Sequence, residues 1–217
     1  GAHRGRRDHL DRPTALALAR RLAPLRLAED RTVDAPLSST IELSGLVGVA
    51  DVGRYDVAGL WQPRAPADFL RVPFALGADG QPVYLDLKES AAQGMGPHGL
   101  CVGATGSGKS EVLRTLVLTL AMTHPPDRLA LVLVDYKGGA TFAGLEQLPH
   151  TAASVSNLSD DIGLVDRLHD ALRGEINRRQ QLLLAAGSLA GVAEYNARRD
   201  AGADWEPLPN LLVVIDE

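Results

Sequence analysis

A glycine-rich segment near the middle of the chain has the residue types needed to bind a chain of phosphates. Residues 103–110 read Gly-Ala-Thr-Gly-Ser-Gly-Lys-Ser and match the pattern G-x-x-x-x-G-K-[ST] in full. Glycines let the backbone curl until successive N–H groups point inward, and the helix expected after the loop adds free N–H groups and the positive end of its dipole. Lys109 would bring a charge to the β- and γ-phosphates, and the Ser110 hydroxyl is a ligand for Mg²⁺.

This pattern predicts a binding site for ATP with Mg²⁺. The alternative is a glycine-rich turn that merely joins a strand to a helix. The residues expected to bind the nucleotide are Gly103, Ala104, Thr105, Gly106, Ser107, Gly108, Lys109, Ser110 and Glu111.

A second group of candidate residues stands at the end of the sequence, where an apolar run is followed by two acids. Residues 211–215 read Leu-Leu-Val-Val-Ile and precede Asp216 and Glu217, which is the Walker B arrangement of P-loop ATPases. The first acid can hold Mg²⁺ through water, and the second can orient and deprotonate the attacking water. We therefore assign Asp216 to the metal, and Lys109 and Glu217 to catalysis. The alternative is a strand that simply ends in polar residues.

The overall composition argues against several other classes of protein. The 217 residues carry a formal net charge of −5, with a pI of about 5.7, which argues against a surface built throughout to hold nucleic acid. A local basic channel remains compatible with that charge. Cys101 is the single cysteine, so a reducing compartment fits best, and it is expected to be a buried thiol because it lies in an apolar run. No apolar run reaches the roughly 20 residues that span a bilayer.

The elements that must position the candidate residues alternate between strand and helix from residue 100 onward. This alternation predicts an α/β fold with a mostly parallel sheet and helices on both faces. Ser159 and Gly187 are expected to begin and end a long helix, with its apolar stripe at Ile162, Val165, Leu168, Leu172 and Ile176. The expected elements are buried strands at 100–102, 129–134 and 211–215, and helices at 111–122, 160–186 and 189–198.

Residues 1–70 are predicted to be a linker or accessory segment, and residues 71–217 the P-loop domain. The accessory segment is expected to hold a helix at 14–27, after Pro13, and a second short helix at 38–49. Alternating apolar residues around Asp79-Gly80 predict a β-hairpin at 71–88. Because a strand that carries a catalytic acid should continue into more sheet, we expect the C-terminal part of the domain to be absent from this chain.

Several further segments are similar to those of a known family. They read GATGSGKSE, LVDYKGGATF, LPH followed by NLSDD, ALRGEINRRQ and VVIDE. Together they resemble the FtsK/SpoIIIE motor ATPases, and more narrowly the EccC/EssC ATPases of type VII (ESX) secretion. The segment ALGADGQPVYLDLKESAAQGMGPHGL resembles the approach to the first ATPase domain of that group. The resemblance covers residues 70–217 well and implies a RecA-like P-loop fold with three layers.

The resemblance implies an ATPase that powers the export of small helical-hairpin proteins. It also implies contacts with adjacent ATPase domains and with membrane subunits of the secretion complex, a homo-hexamer, and a place at the cytoplasmic face of the cell membrane. The phosphate-loop residues of the family map onto residues 103–110, and its acids onto Asp216 and Glu217. Nucleic acid is not expected as a partner.

Two other functions stay open. A DNA translocase of the same superfamily would show a basic channel and steep, salt-dependent DNA binding. A docking scaffold would bind ATP and hydrolyse almost none, although the Asp216–Glu217 pair argues against it.

The loop at 135–142 follows a predicted strand at the end where α/β proteins bind ligands, but it could equally be a solvated turn. Trp61 and Trp205 are expected to be packing anchors.

Overall fold

The structure, a computed structural model, describes residues 11–22, 41–49, 51–138 and 140–216. The chain divides into two units, Gly1–Pro36 and Leu37–Glu217. The described part of the first unit is helix α1 (Arg12–Leu22), whose first turn is capped by Asp11 through the Thr14 N–H at 2.9 Å. Residues 23–27 of the predicted helix lie outside the described residues.

The second unit contains a hairpin and a parallel sheet. Its elements are α2 (Leu43–Leu46), α3 (Val57–Leu60), β1 (Arg71–Leu76), β2 (Pro82–Asp86), α4 (Lys109–Thr123), β3 (Leu129–Asp135), β4 (Thr151–Ser156), α5 (Ile162–Ala185), α6 (Val192–Asp200) and β5 (Asn210–Asp216). β1 and β2 pair antiparallel, which confirms the predicted hairpin, and the parallel sheet has the order β4-β3-β5. Among the described residues, no helix is both long enough and apolar enough to cross a bilayer.

Helices cover both faces of the parallel sheet. The odd-numbered residues of β3 face α4 in a core whose fully buried members include Leu129, Leu131, Leu133, Val117 and Leu120. The even-numbered Val132 and Val134 pack on the opposite face against Leu164 and Leu168 of α5. A strand buried on both faces reads as a continuous apolar run, so the sequence of β3 predicted its place at the centre. The three-layer α/β arrangement with a parallel sheet is confirmed.

The segment 100–102 is not a strand, contrary to the prediction. Leu100 and Val102 are 90% and 83% exposed, and Cys101 is exposed as well, so the expectation of a buried thiol is also wrong. A three-residue strand makes too few hydrogen bonds to be stable alone, and none of the described strands pairs with this segment. The apolar pattern was consistent with a strand, but a strand forms only where a partner lies beside it.

Helix α5 differs from its prediction at its start and along its stripe. Asp161 occupies the N-cap position, and no described side chain caps the helix, because Ser159 lies in a 3₁₀ turn at Leu158–Asp160. Gly187 follows the C-cap with a φ of 107°, as predicted. Val165 and Ile176 of the predicted stripe are exposed, and the side chain of Ile162 lies outside the described set.

The packed face of α5 continues through two charged residues rather than apolar ones, which explains the wrong stripe. Arg179 Nε donates to Glu175 at 2.7 Å, and its Nη1 donates to the Pro209 carbonyl at 2.6 Å.

Strand β4 was not predicted, since its Ala- and Ser-rich sequence has low strand propensity. The predicted short helix at 38–49 is found as α2, and its residues 38–40 lie outside the described residues.

Side chains from residues 55–64 cap the C-terminal end of α4. The last carbonyls of a helix have no partner within it, and three of them here accept from one side chain each: Ala121 from Trp61 at 3.0 Å, Met122 from Tyr55 at 2.6 Å and Thr123 from Arg64 at 2.8 Å. Trp61 also packs edge-on against His150, and Trp205 packs against Tyr195. Both tryptophans are therefore packing anchors, as predicted, and the helix that begins at the phosphate loop is held at its far end by this segment.

Candidate functional site

The phosphate-loop residues form an exposed turn that leads into α4. Gly106 and Gly108 have φ values of 79° and 94°, in the left-handed region that glycine adopts without strain. The helix begins at Lys109, and none of the described side chains caps this end. The N–H groups of the first turn therefore remain available to an anion, which the helix dipole also favours.

Lys109 lies folded over the phosphate loop. Its Nζ donates to the carbonyls of Gly103 at 2.8 Å and of Ala104 at 3.1 Å. Hydrogen bonds from an ammonium to neutral carbonyls are weaker than those to an anion, so a phosphate could replace them. The lysine thus holds the start of the loop close to the helix and lies within reach of anything the loop binds.

Three oxygen-bearing side chains meet where β5 ends beside α4. The Ser110 hydroxyl donates to Asp216 Oδ2 at 2.8 Å, and the Thr141 hydroxyl donates to the same oxygen at 2.6 Å. Hydroxyl and carboxylate oxygens are the ligands that Mg²⁺ prefers, and Mg²⁺ usually needs one or two carboxylates besides phosphate and water. These residues therefore fit a Mg²⁺ ion, even though no cluster of three or more His, Cys, Asp or Glu occurs among the described residues.

Strand register explains why these residues meet. β3 and β5 are parallel, with Asp135 paired to Asp216, so both strands deliver a carboxylate at the same sheet edge. Asp135 is only 6% exposed, and its Oδ2 accepts the Thr141 N–H at 3.3 Å. The alternative of a solvated turn is therefore wrong for Asp135, which lies inside the site.

The structure adds two residues that the sequence analysis did not single out, Thr141 and Arg114. Arg114 Nη1 donates to the Thr141 carbonyl at 2.6 Å, and an open cleft of about 580 Å³ is lined by Ser110, Glu111, Arg114, Ala140, Thr141 and Ala143. Two signals could have found them. Thr141 follows the strand that carries Asp135, and Arg114 lies four residues after Ser110, on the same face of α4.

The structure describes all of the other predicted site residues except Glu217. Glu111 lies in the first turn of α4 and lines the cleft. Ala104, Thr105 and Ser107 are exposed in the loop. Glu217 lies outside the described residues, so its catalytic role stays a prediction.

Comparison with known proteins agrees with this geometry. The model of the FtsK/SpoIIIE family matches residues 58–217. The chain is 52% identical over 214 residues to the ESX secretion system protein EccC of Thermomonospora curvata, across 98% of this chain and 16% of that protein. The chain therefore spans about a sixth of the length of this relative.

Two solved structures are similar to the chain. The cytoplasmic domain of the Thermomonospora curvata type VII secretion ATPase EccC matches with a TM-score of 0.80 and 53% identity, over 83% of this chain and 21% of that one. Thermomonospora curvata EccC (ATPases 2 and 3) in complex with a signal sequence peptide matches with a TM-score of 0.58 and 26% identity, over 72% and 27%. Together with the three-layer arrangement, these likenesses bear out a RecA-like P-loop fold.

Proposed function

The chain belongs to the FtsK/SpoIIIE family, and from this premise we propose that it binds and hydrolyses ATP as a motor domain of a type VII (ESX) secretion system. The observation that carries the proposal is the contact between the Ser110 hydroxyl and the Asp216 carboxylate, directly after the phosphate loop. It brings two oxygen ligands for Mg²⁺ next to the segment whose pattern predicts phosphate binding.

Each residue of the site has a role in this proposal. The N–H groups of residues 103–111 and the Lys109 ammonium bind the phosphates of ATP. Ser110 and Asp216 hold Mg²⁺, which neutralises charge on the phosphates when it is bound. Glu217 orients the attacking water and accepts its proton.

We further infer the setting of this domain from its relatives. A protein 52% identical to this chain is an ESX secretion system protein, and a related structure of ATPases 2 and 3 holds a signal sequence peptide. We propose that the whole protein exports small helical-hairpin substrates at the cytoplasmic face of the cell membrane. In this proposal the domain works in a homo-hexamer, with adjacent ATPase domains and membrane subunits as partners, and without nucleic acid.

Calorimetric titration of MgATP tests the nucleotide site. Three proteins are compared: the parent chain, Lys109→Ala, and Arg173→Ala as a control that removes an exposed positive charge on α5. We expect Lys109→Ala to lose at least about tenfold in affinity, or about 1.4 kcal/mol, and Arg173→Ala to match the parent. Absence of binding in the parent would contradict the proposed site.

Turnover and secretion test the motor role. The full-length protein with Glu217→Gln should be made at normal levels, yet export no small helical proteins into the medium, as measured by mass spectrometry. Equal, negligible ATP turnover in the parent and in Glu217→Gln would instead favour a docking scaffold. Turnover stimulated by DNA, together with DNA binding that weakens steeply with salt, would favour a DNA translocase.

A further inference from the structure

The Asp216 carboxylate is held by a second hydroxyl besides that of Ser110. Thr141 Oγ1 lies 2.6 Å from Asp216 Oδ2, closer than the 2.8 Å of Ser110 Oγ. The terminal torsion of an aspartate has a broad energy minimum, so hydrogen bonds decide how its oxygens are turned. Two donors on a single oxygen fix that torsion in a way that one donor would not.

Thr141 is itself held by a buried group on the neighbouring strand. Its N–H donates to Asp135 Oδ2 at 3.3 Å, and Asp135 lies opposite Asp216 in the parallel register. Thr141 therefore bridges the carboxylates of two adjacent strands, one through its backbone and one through its hydroxyl. The position of Thr141 is therefore set by the ends of β3 and β5 as well as by its own loop.

Arg114 ties the same loop to α4. Its Nη1 lies 2.6 Å from the Thr141 carbonyl oxygen, with the carbonyl oxygens of Ala140 and Ala143 at 3.5 Å and 3.4 Å. Arg114 follows Ser110 by one helical turn, so the helix that supplies the first hydroxyl also fixes the loop that supplies the second. Arg114 and Thr141 both line the cleft between the helix and the loop.

We propose that Thr141 is a positioning residue for the Mg²⁺ ligand Asp216, and that Arg114 acts through Thr141 by fixing the loop at residues 140–143. This inference rests on the proposed function, since it needs nucleotide and Mg²⁺ to bind at this site. It assigns Thr141 and Arg114 to the metal-dependent part of binding. Substitution of Thr141 or Arg114 would leave the binding of nucleotide to the phosphate loop unchanged when Mg²⁺ is absent.

Nucleotide titrations with and without Mg²⁺ test the role of Thr141. ATP is titrated into the chain in excess Mg²⁺ and again in EDTA, and the ratio of the two dissociation constants gives the gain from the metal. We expect Thr141→Val, which keeps the shape and removes the hydroxyl, to reduce that gain by about tenfold, as for loss of a hydrogen bond to a charged group. Affinity in EDTA should stay unchanged, and Thr141→Ser should restore the parent ratio.

Thr151→Val is the matched control. The Thr151 hydroxyl also donates a hydrogen bond, in this case to the Leu145 carbonyl at 2.8 Å, but Thr151 starts β4, at the end of the sheet away from the site. The inference would be overturned if Thr141→Val kept the same ratio of dissociation constants as the parent, or if it lost affinity equally with and without Mg²⁺. Either result would leave the nucleotide site intact. A parent chain that binds no nucleotide in either buffer would overturn the proposed function, and this inference with it.

A double-mutant cycle tests the role of Arg114. Arg114→Gln should reduce the metal-dependent gain, and the double variant should lose no more than Thr141→Val alone, because Arg114 acts only by positioning the hydroxyl that Thr141→Val removes. Additive losses would show that Arg114 acts independently of Thr141, and would overturn that part of the proposal. Unchanged binding in Arg114→Gln would overturn it as well.

Discussion

The Ser110 hydroxyl donates to the Asp216 carboxylate at 2.8 Å, although the two residues lie 106 positions apart in the chain. The first turn of α4 fixes the hydroxyl, and the end of β5 fixes the carboxylate. Leu120 of α4 and Val214 of β5 belong to the same buried core, so the contact is anchored on both sides by packing. It joins the phosphate loop to the sheet edge.

Asp216→Asn should weaken nucleotide binding only when Mg²⁺ is present. An amide carries no charge for the cation, so we expect the Mg²⁺-dependent gain in ATP affinity to fall by about tenfold or more. Titrations in Mg²⁺ and in EDTA measure this gain. Asp166→Asn, which removes an exposed carboxylate on α5, should behave as the parent. An undiminished gain in Asp216→Asn would show that Asp216 does not serve the metal.

Glu217→Gln should separate binding from hydrolysis. Glutamine keeps the size of the side chain and cannot accept a proton, so turnover should fall by about 10² to 10⁴-fold. ATP affinity should change little, because the phosphate-binding groups are untouched. Phosphate release and calorimetry measure the two quantities, with Glu206→Gln, an exposed acid, as the control. Unchanged turnover would remove Glu217 from the catalytic set.

His124 at the end of α4 should make stability depend on pH. It is 1% exposed, and its Nε2 accepts the Leu70 N–H at 3.0 Å, so the ring proton lies on Nδ1, 3.1 Å from the Leu120 carbonyl oxygen. Its pKa is lowered from 6.5 to about 4, chiefly by burial and less by the charges of Arg64 and nearby groups, while the hydrogen bond to Leu120 acts in the opposite direction. Between these two values the unfolded chain binds a proton that the folded chain does not.

The sign of the effect follows from that proton. The contribution of His124 to the free energy of unfolding should be fully present well above pH 6.5 and should fall as the pH drops towards 4. We expect the free energy of unfolding to decrease by about 2 kcal/mol between pH 7.5 and pH 5. Urea unfolding followed by circular dichroism at both pH values measures it. His124→Gln should lose most of this dependence and His169→Gln, at an exposed site, should keep it. Burial also lowers the pKa of His150, so a smaller slope should remain. Equal slopes in the parent and in His124→Gln would contradict the prediction.

Tyr55→Phe should destabilise the chain through the end of α4. The substitution removes the hydroxyl that donates to the Met122 carbonyl at 2.6 Å, and the free energy of unfolding should fall by about 1 kcal/mol. Tyr84→Phe is the control, because Tyr84 lies partly exposed on the hairpin. Urea unfolding compares the two variants, and equal stability would mean that water replaces the lost hydroxyl at the helix end.

Local patterns in the sequence determined the phosphate loop, the central strand, the final strand and the hairpin. A phosphate loop depends on glycines and on a helix start within eight residues, so its chemistry can be predicted from consecutive positions. The buried strand β3 was predicted for the same reason, since burial on both faces requires a continuous apolar run. The motifs around these segments also carried the family resemblance.

Tertiary structure decided which side chains meet. Thr141 and Asp216 are 75 positions apart, and their contact depends on the parallel register of β3 and β5 together with the loop that Arg114 holds. Residues 55–64 cap α4 although their sequence has no pattern that indicates it, and 100–102 is exposed although its sequence is apolar. A local pattern limits what one segment can form. The partner of each hydrogen bond and the burial of each side chain depend on how the elements pack, which adjacent residues do not specify.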